Sequence, residues 1–188
     1  ITKDDASPVT VADFASQAIV NITLRDELYG CDGSKLRMVA EETSGFLRDP
    51  DHTAHLEATL AAAQEIFPDL TVEQMLEAID LGGYDPTLHP AAAPFWTLDP
   101  IDGTISFVQG VPLFGTMLAC MKDNPPLLCV ITLPDLNETA SAANGLGSWH
   151  TSPFNNNDRN NDHAPVPPPA PTTSTLNQSL LNPNSFPY

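Results

Sequence analysis

The chain has 188 residues and a formal net charge of -17, from 24 acidic against 7 basic residues. This excess of acid excludes a nucleic-acid-binding class, which needs a basic surface, and argues against binding to anionic membranes. Phosphorylated ligands stay open, because metal ions can supply the positive charge. Neither a membrane span nor a signal peptide is recognisable, and Cys31, Cys120 and Cys129 lack metal-type spacing. We therefore predict a cytoplasmic or organellar location in a reducing compartment.

The N-terminal half predicts three helices and one strand. Apolar residues at helical spacing predict the first helix over 11–28, with Thr10 as its N-cap and Asp13 completing a capping box. "RMVAEE" indicates a short strand that ends in two glutamates. Two further helices are expected over 53–67 and 71–80, followed by a loop.

The C-terminal half begins with four predicted strands and ends in a different composition. "FWTL" is expected to be a strand, "LFGTMLACMKDNPPLLCVITLP" a strand pair and "TASAAN" a further strand, before "GLGSWH" closes the domain. Residues 151–188 are rich in Asn, Pro, Ser and Thr without periodicity, which predicts a disordered tail. We thus expect one folded domain over 1–150, of the α+β class, with helices packed on an antiparallel sheet.

The segment "FWTLDPIDGTISF" places two aspartates at the end of a hydrophobic strand. Pro100 and Gly103 favour a tight turn that directs Asp99, Asp102 and the Ile101 carbonyl to one point. Like charges held together disfavour ionisation, so a cation is expected between them. An all-oxygen ligand set suits Mg²⁺ better than zinc. An ordinary Asp-Pro turn is the alternative interpretation.

Three further features near this turn have side chains that could take part in the reaction. Thr104 is expected to be the first residue of a short helix. Its hydroxyl and the backbone N–H groups at the start of that helix would form an anion site. Glu41-Glu42 and Asp13 supply additional carboxylates, and paired metal ions can polarise a phosphate and lower the pKa of a water. Taken singly, Asp13 and Thr104 could be helix caps and the glutamates a solvated strand end.

Together these segments resemble the inositol monophosphatase superfamily of lithium-sensitive, Mg²⁺-dependent phosphatases. "DPIDGT" followed by a hydroxyl residue and Phe matches the family signature, while "SPVTVAD" and "VAEETSG" are similar to two upstream segments. Ala40 stands where the family usually has glycine. The resemblance covers about residues 1–150 and implies the first lobe of the inositol monophosphatase and fructose-1,6-bisphosphatase-like fold.

The resemblance also implies a role for each motif residue. It assigns two or three Mg²⁺ ions to Glu41, Asp99, Asp102 and the Ile101 carbonyl. Asp13 and Thr104 would activate the attacking water, and Gly103 with Thr104 would hold the phosphate. Glu42 would orient the ligands through hydrogen bonds.

The implied substrate is a small phosphate ester. "SPVTVADFASQAIV" and "VAEETSGFLR" are typical of the 3'(2'),5'-bisphosphate nucleotidase branch, which implies hydrolysis of the 3'-phosphate of 3'-phosphoadenosine 5'-phosphate. Ile105-Ser106 departs from the Lys-Gly of that branch, and "GVPLFGTMLACMKDNPPLLCVI" is similar to histidinol phosphatases. Inositol phosphate and histidinol phosphate hydrolysis therefore stay open.

The family's second lobe, with its further metal-binding aspartate, is not recognisable in this sequence. The chain is thus expected to present one lobe of a two-lobe enzyme, whose exposed inter-lobe face could lead to self-association. A non-catalytic remnant that binds metal or a partner is the alternative of another class.

Overall fold

A six-stranded sheet forms the centre of the protein in the computed structural model, which describes residues 10–29, 36–88, 94–122 and 126–152. The strands lie in the order β1 to β6. Their bounds are Met38–Ala40, Phe95–Asp102, Gly115–Met121, Leu128–Leu133, Glu138–Ala143 and Gly147–Thr151. Segment 1–9, Cys31 and nearly all of the predicted 151–188 tail lie outside the described residues.

The sheet is antiparallel from β2 to β6, whereas β1 lies parallel to β2. A parallel pair needs a long crossover, and the chain between these two strands contains two helices. The α+β prediction is confirmed, and the parallel edge strand makes the sheet mixed. This edge matters for the site because the C-terminal end of β1 meets the middle of β2.

The first helix, α1, spans Val11–Leu24 and then continues as a π-helical turn over Arg25–Tyr29. Its start has the predicted capping box, since the Thr10 hydroxyl accepts hydrogen bonds from helix backbone N–H groups and the Asp13 carboxylate accepts from the Thr10 backbone. Its buried face combines apolar and polar side chains: Asp13, Phe14, Ala15, Gln17, Ala18, Asn21 and Ile22.

Two other helices pack with α1 around a hydrophobic core. They are α2 over Thr53–Gln64 and α3 over Val72–Asp80, within the predicted ranges. This core contains Phe14, Ala18, Ile22, Leu47, Ala63, Leu70, Met75, Leu76, Ala78 and Ile79. A second cluster joins the sheet to α1 through Met38, Trp96 and Leu98, with Val20 and Leu24 packed against it. The C-terminal part of α1 is thereby packed against β1 and β2.

The outer strands are less buried than β2. The side chains of β4 are half-buried along its whole length, and those of β5 nearly so. Cys120 on β3 is buried and Cys129 on β4 is half-buried, both as free thiols. In the described ranges, we find no helix that is both long and apolar enough to cross a membrane.

Candidate metal centre

The two aspartates of the DPID motif lie within strand β2 and not after it. The structure extends this strand beyond the predicted Phe95–Leu98 to Asp102. On the neighbouring strand, Asp99 pairs with Met117 and Asp102 with Gly115, so β2 contains one extra residue between them. Side chains alternate between the two faces of a strand, and residues three apart normally point to opposite faces. The bulge turns both carboxylates towards the same side.

Pro100 fits this bulge because proline has no N–H to donate to a neighbouring strand. It is fully buried, and its carbonyl accepts a 2.9 Å hydrogen bond from the Thr116 hydroxyl. This bond holds β2 to β3 where the regular ladder is interrupted. The turn predicted from Asp-Pro-Ile-Asp is therefore a bulged strand end.

The carboxyl group of Asp99 has a strongly raised pKa. Burial, followed by repulsion from Glu41 and Asp102, raises the pKa of Asp99 from 3.8 to about 7. Asp13 adds a smaller repulsion, while a hydrogen bond from the Ile101 backbone lowers the pKa. Buried Oδ1 of Asp99 has no hydrogen-bond partner among the residues that the structure describes. Such a group favours a cation or a proton beside it.

Asp102 lies at the exposed end of the same strand. Burial and then the charge of Glu41 raise the pKa of Asp102, and a hydrogen bond from the Gly103 backbone partly offsets them. Gly103, with φ of 83°, precedes the short helix α4, Thr104–Val108. The Thr104 hydroxyl donates a 3.0 Å hydrogen bond to the Ile101 carbonyl. Thr104 is thus held beside the aspartates as the first residue of α4.

Asp13 brings a third carboxylate from the first turn of α1. It is fully buried, and its Oδ2 accepts from the backbone and the hydroxyl of Thr10, at 2.8 and 2.6 Å. Its Oδ1 is also buried, without a hydrogen-bond partner in the described part of the chain. One oxygen of Asp13 therefore caps the helix, while the other leaves an acceptor beside Asp99.

Glu41 and Glu42 follow directly after β1. In the parallel register Ala40 lies beside Leu98, so the next residues, Glu41 and Asp99, are neighbours. Glu41 is exposed, whereas Glu42 is buried and its backbone is bonded to α1. The two adjacent glutamates therefore have different environments, which the sequence alone did not separate.

The structure brings Glu41, Asp102 and Asp13 close enough to Asp99 to add to the effect of burial on its pKa, and Glu41 acts on Asp102 in the same way. Among the described residues, however, no three His, Cys, Asp or Glu side chains are grouped closely enough to hold an ion. The donor chemistry fits Mg²⁺, because every donor is an oxygen and two buried oxygens lack partners. Binding would require these carboxylates to move together, and the roles assigned to them stay predictions.

Sequence reasoning did not single out the contacts that hold the loop after β1. The Gln17 side chain donates to the Glu42 carbonyl and accepts from the Glu42 N–H. Further along, the Asp80 carboxylate accepts from the backbone and the hydroxyl of Ser44, at 2.9 and 2.6 Å. The only local signal for Gln17 was its position: a polar residue four positions after Asp13, on a helix face that is otherwise mainly apolar.

Gly103→Ala is expected to destabilise the protein by roughly 3 kcal/mol. Its positive φ would strain an L-residue by about 1–2 kcal/mol. In addition, an added Cβ would meet the Leu113 carbonyl oxygen at 2.7 Å. Gly110→Ala is the matched control, since Gly110 has φ of +68° but open space around it, and should cost roughly 1 kcal/mol. Denaturant unfolding measures both, and equal losses would contradict a close approach at Gly103.

Comparison with known families matches residues 5–181 to the model of the inositol monophosphatase family. The chain belongs to this family. Curated relatives include a 3'(2'),5'-bisphosphate nucleotidase 2 of Candida albicans, 32% identical over 82% of this chain, and a 3',5'-bisphosphate nucleotidase 2 of Arabidopsis thaliana, 37% identical over 71%. The chain spans 47% and 39% of their lengths, respectively.

Among solved structures, the chain is similar to an IMPase/NADP phosphatase in complex with Mg²⁺ and phosphate. The TM-score is 0.47 at 17% identity, over 80% of this chain and 40% of the other. A staphylococcal inositol monophosphatase-1 soaked in LiCl gives a TM-score of 0.48 at 16% identity, over the same shares.

Proposed function

We propose that this chain contributes a Mg²⁺-dependent phosphomonoesterase site, and that its substrate is the 3'-phosphate of 3'-phosphoadenosine 5'-phosphate. The observation that carries the proposal is the repulsion of Asp99 by Glu41, Asp102 and Asp13, which come from three separate elements. Such an arrangement costs free energy without a cation. The names of the curated relatives support the substrate class.

In this proposal, the ions are held by Glu41, Asp99, Asp102 and the Ile101 carbonyl. Bound Mg²⁺ supplies positive charge that polarises the phosphate. Glu42, buried beside these ligands, would limit their movement. The number of ions, two or three, is part of the proposal.

The water-activating groups are Asp13 and Thr104. Oδ1 of Asp13 can accept a proton from the attacking water, because Thr10 occupies only the other oxygen. Thr104 donates its hydroxyl proton to the Ile101 carbonyl, which leaves lone pairs of its oxygen to accept from the water. The water oxygen would bond to phosphorus as its proton passes to Asp13, the ester P–O bond would break, and the leaving oxygen would take a proton from solvent water. Gly103 and Thr104 would hold the phosphate.

Phosphate release tests this proposal directly. The purified chain is incubated with 3'-phosphoadenosine 5'-phosphate, inositol 1-phosphate or histidinol phosphate, with Mg²⁺, with added lithium, and as Asp102→Asn. We expect turnover of the first compound that requires Mg²⁺, falls with lithium and is lost in the variant. Preference for another compound would reassign the substrate. A folded chain that binds Mg²⁺ but hydrolyses none of the three would favour the non-catalytic alternative.

The predicted location and self-association through an inter-lobe face stay predictions. Sedimentation of the chain over a range of concentrations tests the second.

A further inference from the structure

Gln17 is a fully buried polar side chain in the middle of the helical core. It lies one turn after Asp13 on α1. Its amide nitrogen donates to the Glu42 carbonyl at 2.7 Å and to the Ile79 carbonyl at 2.9 Å, and its amide oxygen accepts from the Glu42 N–H at 2.9 Å. All three bonds go to backbone groups distant in sequence.

These bonds join three elements through one side chain. Because the amide bonds both the N–H and the carbonyl of Glu42, it fixes the peptide units on either side of that residue. The first of these units connects Glu42 to Glu41. The bond to Ile79 ties the same amide to the last turn of α3. Gln17 therefore links the backbone of the acidic pair directly to the helix that carries Asp13.

The packing around this amide is close. A Cβ added at Gly82 would lie 2.9 Å from Nε2 of Gln17 and 2.8 Å from Cβ of Ala40, the last residue of β1. Glycine at this position leaves room for the amide and the strand end together. This contact is independent of the hydrogen bonds and provides a second way to disturb Gln17.

We propose that Gln17 is a positioning residue for the metal centre: it holds the Glu41-Glu42 segment against the helix that carries Asp13. The inference rests on the proposed function. The two buried hydrogen bonds from Gln17 restrain the backbone of this segment next to α1, and Glu41 lies beside Asp99 in the register of β1 and β2. Glu41, as a residue that would hold Mg²⁺, would thus have its backbone supported before an ion binds.

Asn21 offers a matched control within the same helix. It is also fully buried, lies one turn further along α1, and donates its amide to the Ala78 carbonyl at 2.8 Å. It thus ties α1 to α3, as Gln17 does, but this bond does not reach the acidic segment. A purely structural role of Gln17 would make the two residues equivalent.

The experiment compares Gln17→Leu with Asn21→Leu by thermal unfolding, Mg²⁺ calorimetry and hydrogen exchange of the Glu42 amide. Both variants should lose stability, because each leaves buried backbone groups without partners. Only Gln17→Leu should speed exchange at Glu42, by at least about tenfold, and weaken Mg²⁺ binding roughly 10–100-fold. Unchanged Mg²⁺ affinity in Gln17→Leu, or equal weakening in both variants, would overturn the proposal.

Gly82→Ala keeps the inference testable if Gln17→Leu does not fold. It retains the amide but displaces it, and should also weaken Mg²⁺ binding. Gly83→Ala is its control, since an added Cβ there meets only the Asp80 carbonyl oxygen, at 3.3 Å. Equal Mg²⁺ affinities in this pair would count against Gln17.

The outcomes separate the two proposals. Mg²⁺ binding by the unmodified chain without turnover would refute the proposed reaction and leave the Gln17 comparison valid. Absence of Mg²⁺ binding by the folded, unmodified chain would refute both.

Discussion

Asp13→Asn is expected to lower the rate of phosphate release about a thousandfold while changing stability by less than about 1 kcal/mol. The rate falls because an amide cannot take the proton of the attacking water, a contribution of about 10²–10⁴-fold in enzymes. Stability is nearly kept because the amide oxygen can still accept from the Thr10 backbone, as Oδ2 of Asp13 does now. Steady-state kinetics and denaturant unfolding measure the two effects.

Thr10→Ala is the complementary variant, which should change stability and leave the rate nearly unchanged. It removes the hydroxyl that caps α1, at a cost of about 1 kcal/mol, and keeps the Asp13 carboxylate. We expect a clear loss of stability and a rate within a few-fold of the unmodified chain. If the two variants lose rate in proportion to stability, Asp13 is a helix cap without a part in the reaction.

The metal-free protein is expected to lose stability as the pH rises from 3.8 to about 7. Asp99→Asn should remove much of this loss. The folded-state pKa of Asp99 is raised to about 7, so over this range the native state binds more protons than the unfolded state. The stabilisation is complete below pH 3.8 and disappears as the pH rises through about 7. After allowance for solvent screening, we expect roughly 2 kcal/mol.

The measurement is denaturant unfolding in EDTA at pH 5 and pH 8, with Asp69→Asn as the control at an exposed aspartate. Asp99→Asn should gain clearly more stability relative to the unmodified chain at pH 8 than at pH 5, because the loss begins above pH 3.8 and is complete only above about pH 7, whereas Asp69→Asn should show no such difference. Added Mg²⁺ at pH 8 should raise the melting temperature of the unmodified chain and not that of Asp99→Asn. A gain that is the same at both pH values would mean that the Asp99 charge is not strained.

Local patterns predicted α1 to α4 and five of the six strands, because these elements depend on residues close in sequence, but β6 over Gly147–Thr151 was not predicted as a strand. The Thr10–Asp13 capping box and the apolar face of α1 are read from a few neighbouring positions, and the structure confirms both. The predicted end of β2, at Leu98, was wrong because the bulge depends on pairing with β3. No residue near Asp99 reveals that register, which Met117 and Gly115 set from another strand.

The residues of the candidate site could be listed from the sequence, but their environments could not. The contrast between exposed Glu41 and buried Glu42 arises from contacts with α1, which lies far away in the chain. The contacts of Gln17 could not be predicted for the same reason, since its partners Glu42 and Ile79 are 25 and 62 residues away in the chain. The parallel pairing of β1 with β2 likewise depends on a crossover that local propensity does not encode.

The most direct test of the account is a calorimetric titration of Mg²⁺ into the metal-free chain at pH 7.5, alongside Asp102→Asn. The account predicts saturable binding to the unmodified chain and its loss in a variant that remains folded, because repulsion among Asp13, Glu41, Asp99 and Asp102 is relieved by the cation. A folded chain without saturable Mg²⁺ binding, or equal binding in the variant, would contradict it.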